Sequence, residues 1–145
     1  MNEDLSELLA LLNSHQVRFL VIGAHALAFH GKPRFTEDID LWVDRTEDNA
    51  ARLGAALEEF GAAIGGEGVS RFASPDKQIV RLGAAPNMVD ILNFAGDDSF
   101  ADVWSRGIHG MINGTEVVFP SREDLARMKR AAGRPQDIAD IEKLS

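Results

Sequence analysis

The chain has 145 residues, 45% of them hydrophobic and 26% charged, a length and balance that suit one globular domain with a buried core. It has no cysteine, so disulfides and thiolate zinc sites are excluded, and its net charge of −8 argues against a broad, non-specific grip on nucleic acid, which needs Lys and Arg to neutralise phosphates. Met1-Asn2-Glu3-Asp4 is acidic and leads into an amphipathic stretch, not an apolar leader, and no apolar run reaches the ~20 residues of a membrane span, so a cytoplasmic location is expected.

In chain order, Leu5, Leu8, Leu9 and Leu12 recur at helical spacing and predict a helix over residues 3–14. Residues 17–22 read as a strand that breaks at Gly23-Ala24, and residues 24–31 as a short helix closed by Gly31. Residues 38–44 read as a second strand. Thr46 is placed to N-cap a helix whose Ala50, Leu53, Leu57 and Phe60 form an apolar stripe, with Gly61 stopping it. Residues 61–68, rich in Gly and Ala, read as a flexible connection, and residues 69–73 as a short strand. Residues 78–82 and 88–92 read as a strand pair about a Gly/Ala/Pro/Asn turn. A short helix over 99–105 follows, then a hairpin turned by Asn113-Gly114 between 111–112 and 117–119. Ser121 and Asp124 have the spacing of a capping box for a helix over 122–132; Gly133 ends it, and Pro135 opens a last helix over 135–144. Residues 1–145 thus read as one α+β domain, a mixed β-sheet with helices packed on it.

The chemistry concentrates in Arg34-Phe35-Thr36-Glu37-Asp38-Ile39-Asp40-Leu41-Trp42-Val43. Asp38 and Asp40, two residues apart in an otherwise apolar strand, share a face, repel each other and lose hydration. A divalent cation between them relieves both costs. Upstream, the strand-to-helix turn at Gly23-Ala24 offers free backbone N–H groups and the positive end of a helix dipole, a setting for phosphate. Between the two lie Lys32 and Arg34, and Arg34 and Thr36 are candidates for phosphate contact. A phosphate cradle, a basic loop and a carboxylate pair make a site for a nucleoside triphosphate with Mg²⁺ or Mn²⁺. His25 stands either as a phosphate or base contact or as a packed, hydrogen-bonded histidine.

This order resembles the nucleotidyltransferase superfamily, marked by a Gly-Gly or Gly-Ser turn, a short helix and an Asp-x-Asp strand. The resemblance implies a third carboxylate on a later strand, and Met88-Val89-Asp90-Ile91-Leu92 supplies Asp90, as metal ligand and as an aid to the attacking oxygen. The run Leu125-Ala126-Arg127-Met128-Lys129 with Gly133-Arg134-Pro135-Gln136-Asp137-Ile138-Ala139-Asp140 is similar to the closing motif of the branch that includes AbiEii-type toxins of toxin–antitoxin systems. It implies Lys129 as a catalytic cation reaching the triphosphate, and Asp137 and Asp140 in nucleotide binding. Read from the residues alone, Lys129 is equally a snorkelling surface lysine, Asp137 a helix-dipole acid and Arg134 a partner of a nearby acid. Two departures stand out: Ala24 replaces the usual Ser or Gly, and Gln136 replaces a frequent Lys. The implied activity is metal-dependent transfer of a nucleoside monophosphate from an NTP to a hydroxyl of RNA, protein or a small molecule, with a cognate toxin or antitoxin as partner. The rival is a nucleotide- or partner-binding module without turnover on the same fold.

Overall fold

The computed structural model describes residues 3–31, 38–84 and 87–144. Helix α1 (Glu3–Ser14) buries Leu5, Leu8, Leu9 and Leu12, the stripe its periodicity predicts. Strand β1 (Phe19–Ile22) runs directly into α2 (Gly23–Phe29), and β2 (Ile39–Val43) follows. Helix α3 (Glu47–Phe60) begins where the Thr46 hydroxyl accepts the Asn49 N–H, and it ends at Gly61 with φ +96°, a left-handed cap that glycine adopts without strain. Next come α4 (Gly65–Phe72), β3 (Ile79–Ala84), β4 (Asn87–Leu92), α5 (Phe100–Ser105), β5 (Ile108–Ile112), β6 (Thr115–Phe119), α6 (Arg122–Ala132) and α7 (Pro135–Leu144).

The one mistaken element is α4. A flexible connection over 61–68 and a strand over 69–73 were expected; residues 65–72 are helical instead. Gly65, Gly66 and Gly68 weigh against a helix by propensity, but packing overrides them. Phe72 is buried, Val69 lies so close to Gly54 of α3 that a Cβ there would collide with it, and Glu67 pairs with Arg71 one turn on. The second hairpin also extends further than its strongest residues suggest, with Asn113 and Gly114 both at positive φ in its turn.

Four strands form a mixed sheet in the order β1-β2-β4-β3, antiparallel at β1–β2 and β3–β4 and parallel at β2–β4; β5 and β6 pair separately. Along β2, Ile39, Leu41 and Val43 project to one face and Asp40 and Trp42 to the other. Every one of them except Asp40 is buried apolar surface. Trp42 meets Phe100 of α5 edge-on, with ring centroids 5.2 Å apart, so α5 covers the face that carries Asp40. The helices α6 and α7 pack on each other across the Gly133 turn. No helix among the described residues is long and apolar enough to cross a membrane.

Candidate active site

The sheet register sets the acids in a row. Ile22 of β1 stands opposite Asp40 of β2, Asp40 opposite Asp90 of β4, and Asp90 opposite Arg81 of β3. Residues in register on neighbouring strands share a face about 4.8 Å apart. The closest carboxylate pairing therefore runs across strands, between Asp40 and Asp90. Asp38 precedes the first residue of β2, and its Oδ1 accepts the Met88 N–H at 3.1 Å, which ties the start of β2 to β4.

Asp40 is the strained member of the row. Burial pushes its carboxyl above the usual Asp range, and the charges of Asp90 and Asp38 push the same way against the opposing pull of Lys129 and Arg134. Asp90 is held by a guanidinium fork: Arg81 Nε donates to Oδ1 at 2.8 Å and Nη2 to Oδ2 at 3.1 Å.

The β1–α2 turn comes up against this row. Gly23 has φ +71°, and a Cβ built on it would run into Asp40 Oδ2. Only glycine allows both the conformation and the approach. Ile22 caps α2 with no side-chain hydrogen bond of its own. Ala24 and His25 follow in the first turn. Burial lowers the His25 pKa below its ordinary value, partly offset by a hydrogen bond with the Asp38 backbone, while Nε2 is buried with no hydrogen-bond partner among the described residues. The ring is packed against the start of the acidic strand.

On the opposite side stand α6 and α7. Lys129 is buried, with Nζ 3.1 Å from Asp140 Oδ2 and 3.5 Å from Asp137 Oδ1. Asp137 is fully buried and receives Arg134 through Nε at 2.6 Å, Nη2 at 3.1 Å and the backbone N–H at 3.3 Å. Burial alone would raise its carboxyl; the hydrogen bond and charge of Arg134, joined by Lys129, outweigh it and hold Asp137 below the usual carboxylate range. Arg134 thus pairs with a nearby acid, as one reading of it expected.

A cleft of about 350 Å³ opens between the two sides. Gly23 and Asp40 line one wall, Lys129, Arg134 and Asp137 another, with Leu92, Phe94 and Met128 as apolar floor. That is the size and make-up of a small-molecule pocket. Asp90, Asp38 and Asp140 are not among the described lining residues: Asp90 sits beside Asp40 by sheet register, Asp38 at the β2–β4 tie, and Asp140 behind Lys129. Arg34 and Thr36, with Lys32, lie outside the described residues.

The donor set suits a hard divalent cation, since every acid in it offers oxygen and Asp40 is disfavoured as a bare anion. As the side chains stand, no three His, Asp or Glu among the described residues form a group that could hold an ion. Arg81 was missed from the sequence. The signal was present: the strand pair about residues 83–87 fixes its register, which sets Arg81 opposite Asp90.

Residues 7–145 match the family model "Nucleotidyl transferase AbiEii toxin, Type IV TA system", and the chain belongs to that family. No curated protein matches it. Similar solved structures include a candidate nucleotidyltransferase from Thermotoga maritima, at 17% identity and TM-score 0.62 over 96% of this chain and 88% of that one. The antibiotic-resistance factor ANT(2″)-Ia is similar in its solution structure, at 15% identity and TM-score 0.59 over 97% and 80% of the two chains. Its crystal structure with adenylyl-2″-tobramycin gives 15% identity and TM-score 0.58 over 97% and 84%. These likenesses show the shared fold.

Proposed function

We propose that the chain transfers a nucleoside monophosphate from an NTP to an acceptor hydroxyl with Mg²⁺ or Mn²⁺, releasing pyrophosphate. The observation that carries the reading is the half-buried Asp40, its carboxyl raised by desolvation and then by its neighbours, in register with Asp90 and lining the cleft beside Gly23. Asp38, Asp40 and Asp90 would hold the ion. Bound there, it supplies charge neutralisation and Lewis-acid activation of a phosphoryl oxygen. The Gly23-Ala24 backbone N–H groups cradle the phosphates, and Leu92, Phe94 and Met128 offer apolar surface to the nucleoside. Asp90, next to Asp40 in the row, would accept the acceptor's proton. Arg134, oriented by Asp137 and lining the cleft, presents a cation to the phosphates, while Lys129, engaged by two acids, fixes the α6–α7 wall. Catalysis then rests on positioning and preorganised charge.

Membership in the AbiEii family supports a toxin within a toxin–antitoxin pair, with an antitoxin as partner. The acceptor is RNA, a protein or a small molecule; ANT(2″)-Ia, which shares the fold, was solved with an adenylylated aminoglycoside. The rival reading, nucleotide binding without turnover, draws on Ala24 and on the fork that closes Asp90.

The test is incubation of the purified chain with each labelled NTP, Mg²⁺ or Mn²⁺, and panels of RNA, protein and aminoglycoside acceptors. Metal-dependent pyrophosphate release with label on one acceptor class, absent in Asp40→Asn, is the expected result. Tight NTP binding with no pyrophosphate from any combination would establish the binding module instead.

A further inference from the structure

The β3–β4 pairing carries the face of the acid row onward in steps of two residues. Beyond Arg81 and Asp90 stand Ile79 and Leu92, and the ladder goes on past the strand ends: the Asn93 N–H donates to the Gln78 carbonyl at 3.2 Å, and the Gln78 N–H donates to Asn93 Oδ1 at 2.8 Å. Lys77 and Phe94 are thereby brought opposite each other, and the Lys77 ammonium lies over the Phe94 ring, 5.2 Å from its centroid. The segment is pinned from beneath. Asn93 is buried, its Nδ2 donates to the Asp76 carbonyl at 2.9 Å, and Arg45 Nη2 donates to the Asn93 carbonyl at 3.2 Å. Phe94 is therefore a ring on a fixed mount.

That ring lines the cleft. The charged side chains of the cleft gather about Asp40: Gly23 lies against it, and Lys129 and Arg134 pull on it by charge. The rest of the described lining is apolar, with Phe94 among Leu92, Leu125 and Met128. A ligand whose charged end sits at Asp40 lays its other end on this part. Its side chains cannot hydrogen-bond a base edge; what Phe94 offers is a π-face. Lys77 covers one face of the ring and is not among the described lining residues, so the cleft meets the ring from another side.

We propose that Phe94, steadied by Lys77, is the platform on which the nucleobase stacks, so that the chain ranks nucleotides by ring size, purine above pyrimidine, and not by hydrogen bonds to the base edge. This rests on the nucleotide reading above and adds to it the means of selection. Stacking suits every base, because each has a π-face, and it grows with the area of overlap. Hydrogen-bond readout behaves otherwise. It rejects a wrong base steeply, since a mismatched edge leaves buried polar groups unpaired.

The experiment is titration calorimetry with Mg²⁺, using non-hydrolysable analogues of ATP, GTP, CTP and UTP, and inorganic triphosphate as the ligand without a base. Wild type, Phe94→Leu and Phe94→Tyr are compared after thermal melts confirm folding. In wild type the two purine analogues should bind within about 3-fold of each other and roughly 3- to 10-fold more tightly than the pyrimidine analogues. Phe94→Leu keeps apolar bulk but loses the π-face, and should weaken the purine analogues by roughly 5- to 100-fold while leaving inorganic triphosphate unchanged. Phe94→Tyr keeps the ring and should bind like wild type. Should Phe94→Leu fail to fold, the wild-type ranking decides. A preference above about 30-fold between the two purines, or pyrimidines bound as tightly as purines, overturns the proposal and leaves nucleotide binding standing. So does a folded Phe94→Leu that binds purines as wild type does, or that loses triphosphate in equal measure. Wild type that binds no analogue overturns the nucleotide reading and this proposal together.

Discussion

The strand row and the helix cluster hold acids of the same kind on facing sides of one cleft, and treat them in opposite ways. In the row, burial and the neighbouring acids raise Asp40 against the pull of Lys129 and Arg134. In the cluster, Arg134 and Lys129 overcome burial and hold Asp137 low. In the cluster the charges answer one another. The row carries a charge deficit that a ligand can relieve. A carboxylate's presence at a cleft is thus a weak guide to its role; the sign of its environment separates a group that holds the fold from one that awaits a partner.

Breaking the cluster should cost the most stability. Lys129→Ala leaves Asp140 and part of Asp137 buried without their cation, and loss of one partner of a buried ion pair costs roughly 3–5 kcal/mol. Urea denaturation measures it. A loss below about 1 kcal/mol would mean that the ammonium is not structural and would return it to the triphosphate.

Next is the β1–α2 turn beside the row. Gly23→Ala puts a Cβ against Asp40 Oδ2 at positive φ and should cost about 1–3 kcal/mol, with NTP affinity falling further than Mn²⁺ affinity. Unchanged NTP binding by the folded variant would place the phosphate cradle elsewhere.

Asp40→Asn should act in the opposite direction to Lys129→Ala. Removing a half-buried, repelled charge is expected to stabilise the fold by about 0.5–1.5 kcal/mol while abolishing Mn²⁺ binding and turnover. A destabilised variant would show that Asp40 has a structural partner, and the contrast between the two regions would collapse.

The smallest effect is in pH dependence, and it tests the contrast directly. Asp137 is held low, so its contribution to stability is present above the ordinary Asp value and fades as pH falls through its depressed folded value. Asp40 is held high, so its contribution is fullest below the ordinary Asp value and is lost as pH rises through its raised folded value. Relative to wild type, Asp137→Asn should therefore lose its disadvantage at the acid end, and Asp40→Asn should gain its advantage only above that window. Urea midpoints from about pH 3 to about pH 8 give both curves. Parallel profiles for the two variants would refute the opposite assignments.

Most of the fold was legible because local signals agreed with the tertiary answer. The α1 leucines, the Thr46 and Ser121 caps, the Gly61 and Gly133 stops and the Asn113-Gly114 turn all act where the sequence places them. The helix α4 was not legible, because its glycines argue against a helix and only the contact of Val69 with Gly54 and the burial of Phe72 outweigh them. Of the candidate site, Gly23 and Asp40 were readable from the break between strand and helix and from an acid in an apolar strand.

What the sequence determined by itself was the inventory: the acids, the glycine turn, the basic closing motif and the elements that carry them. Only the tertiary structure decided who faces whom. Strand order and parallel register put Asp90 beside Asp40 from fifty residues away, the β3–β4 register put Arg81 on the end of that row, and the α6–α7 turn buried Lys129 between Asp137 and Asp140. Those pairings set the sign of each electrostatic environment. Charge interactions depend on distance and burial in space, and a one-dimensional pattern fixes neither beyond the reach of a turn.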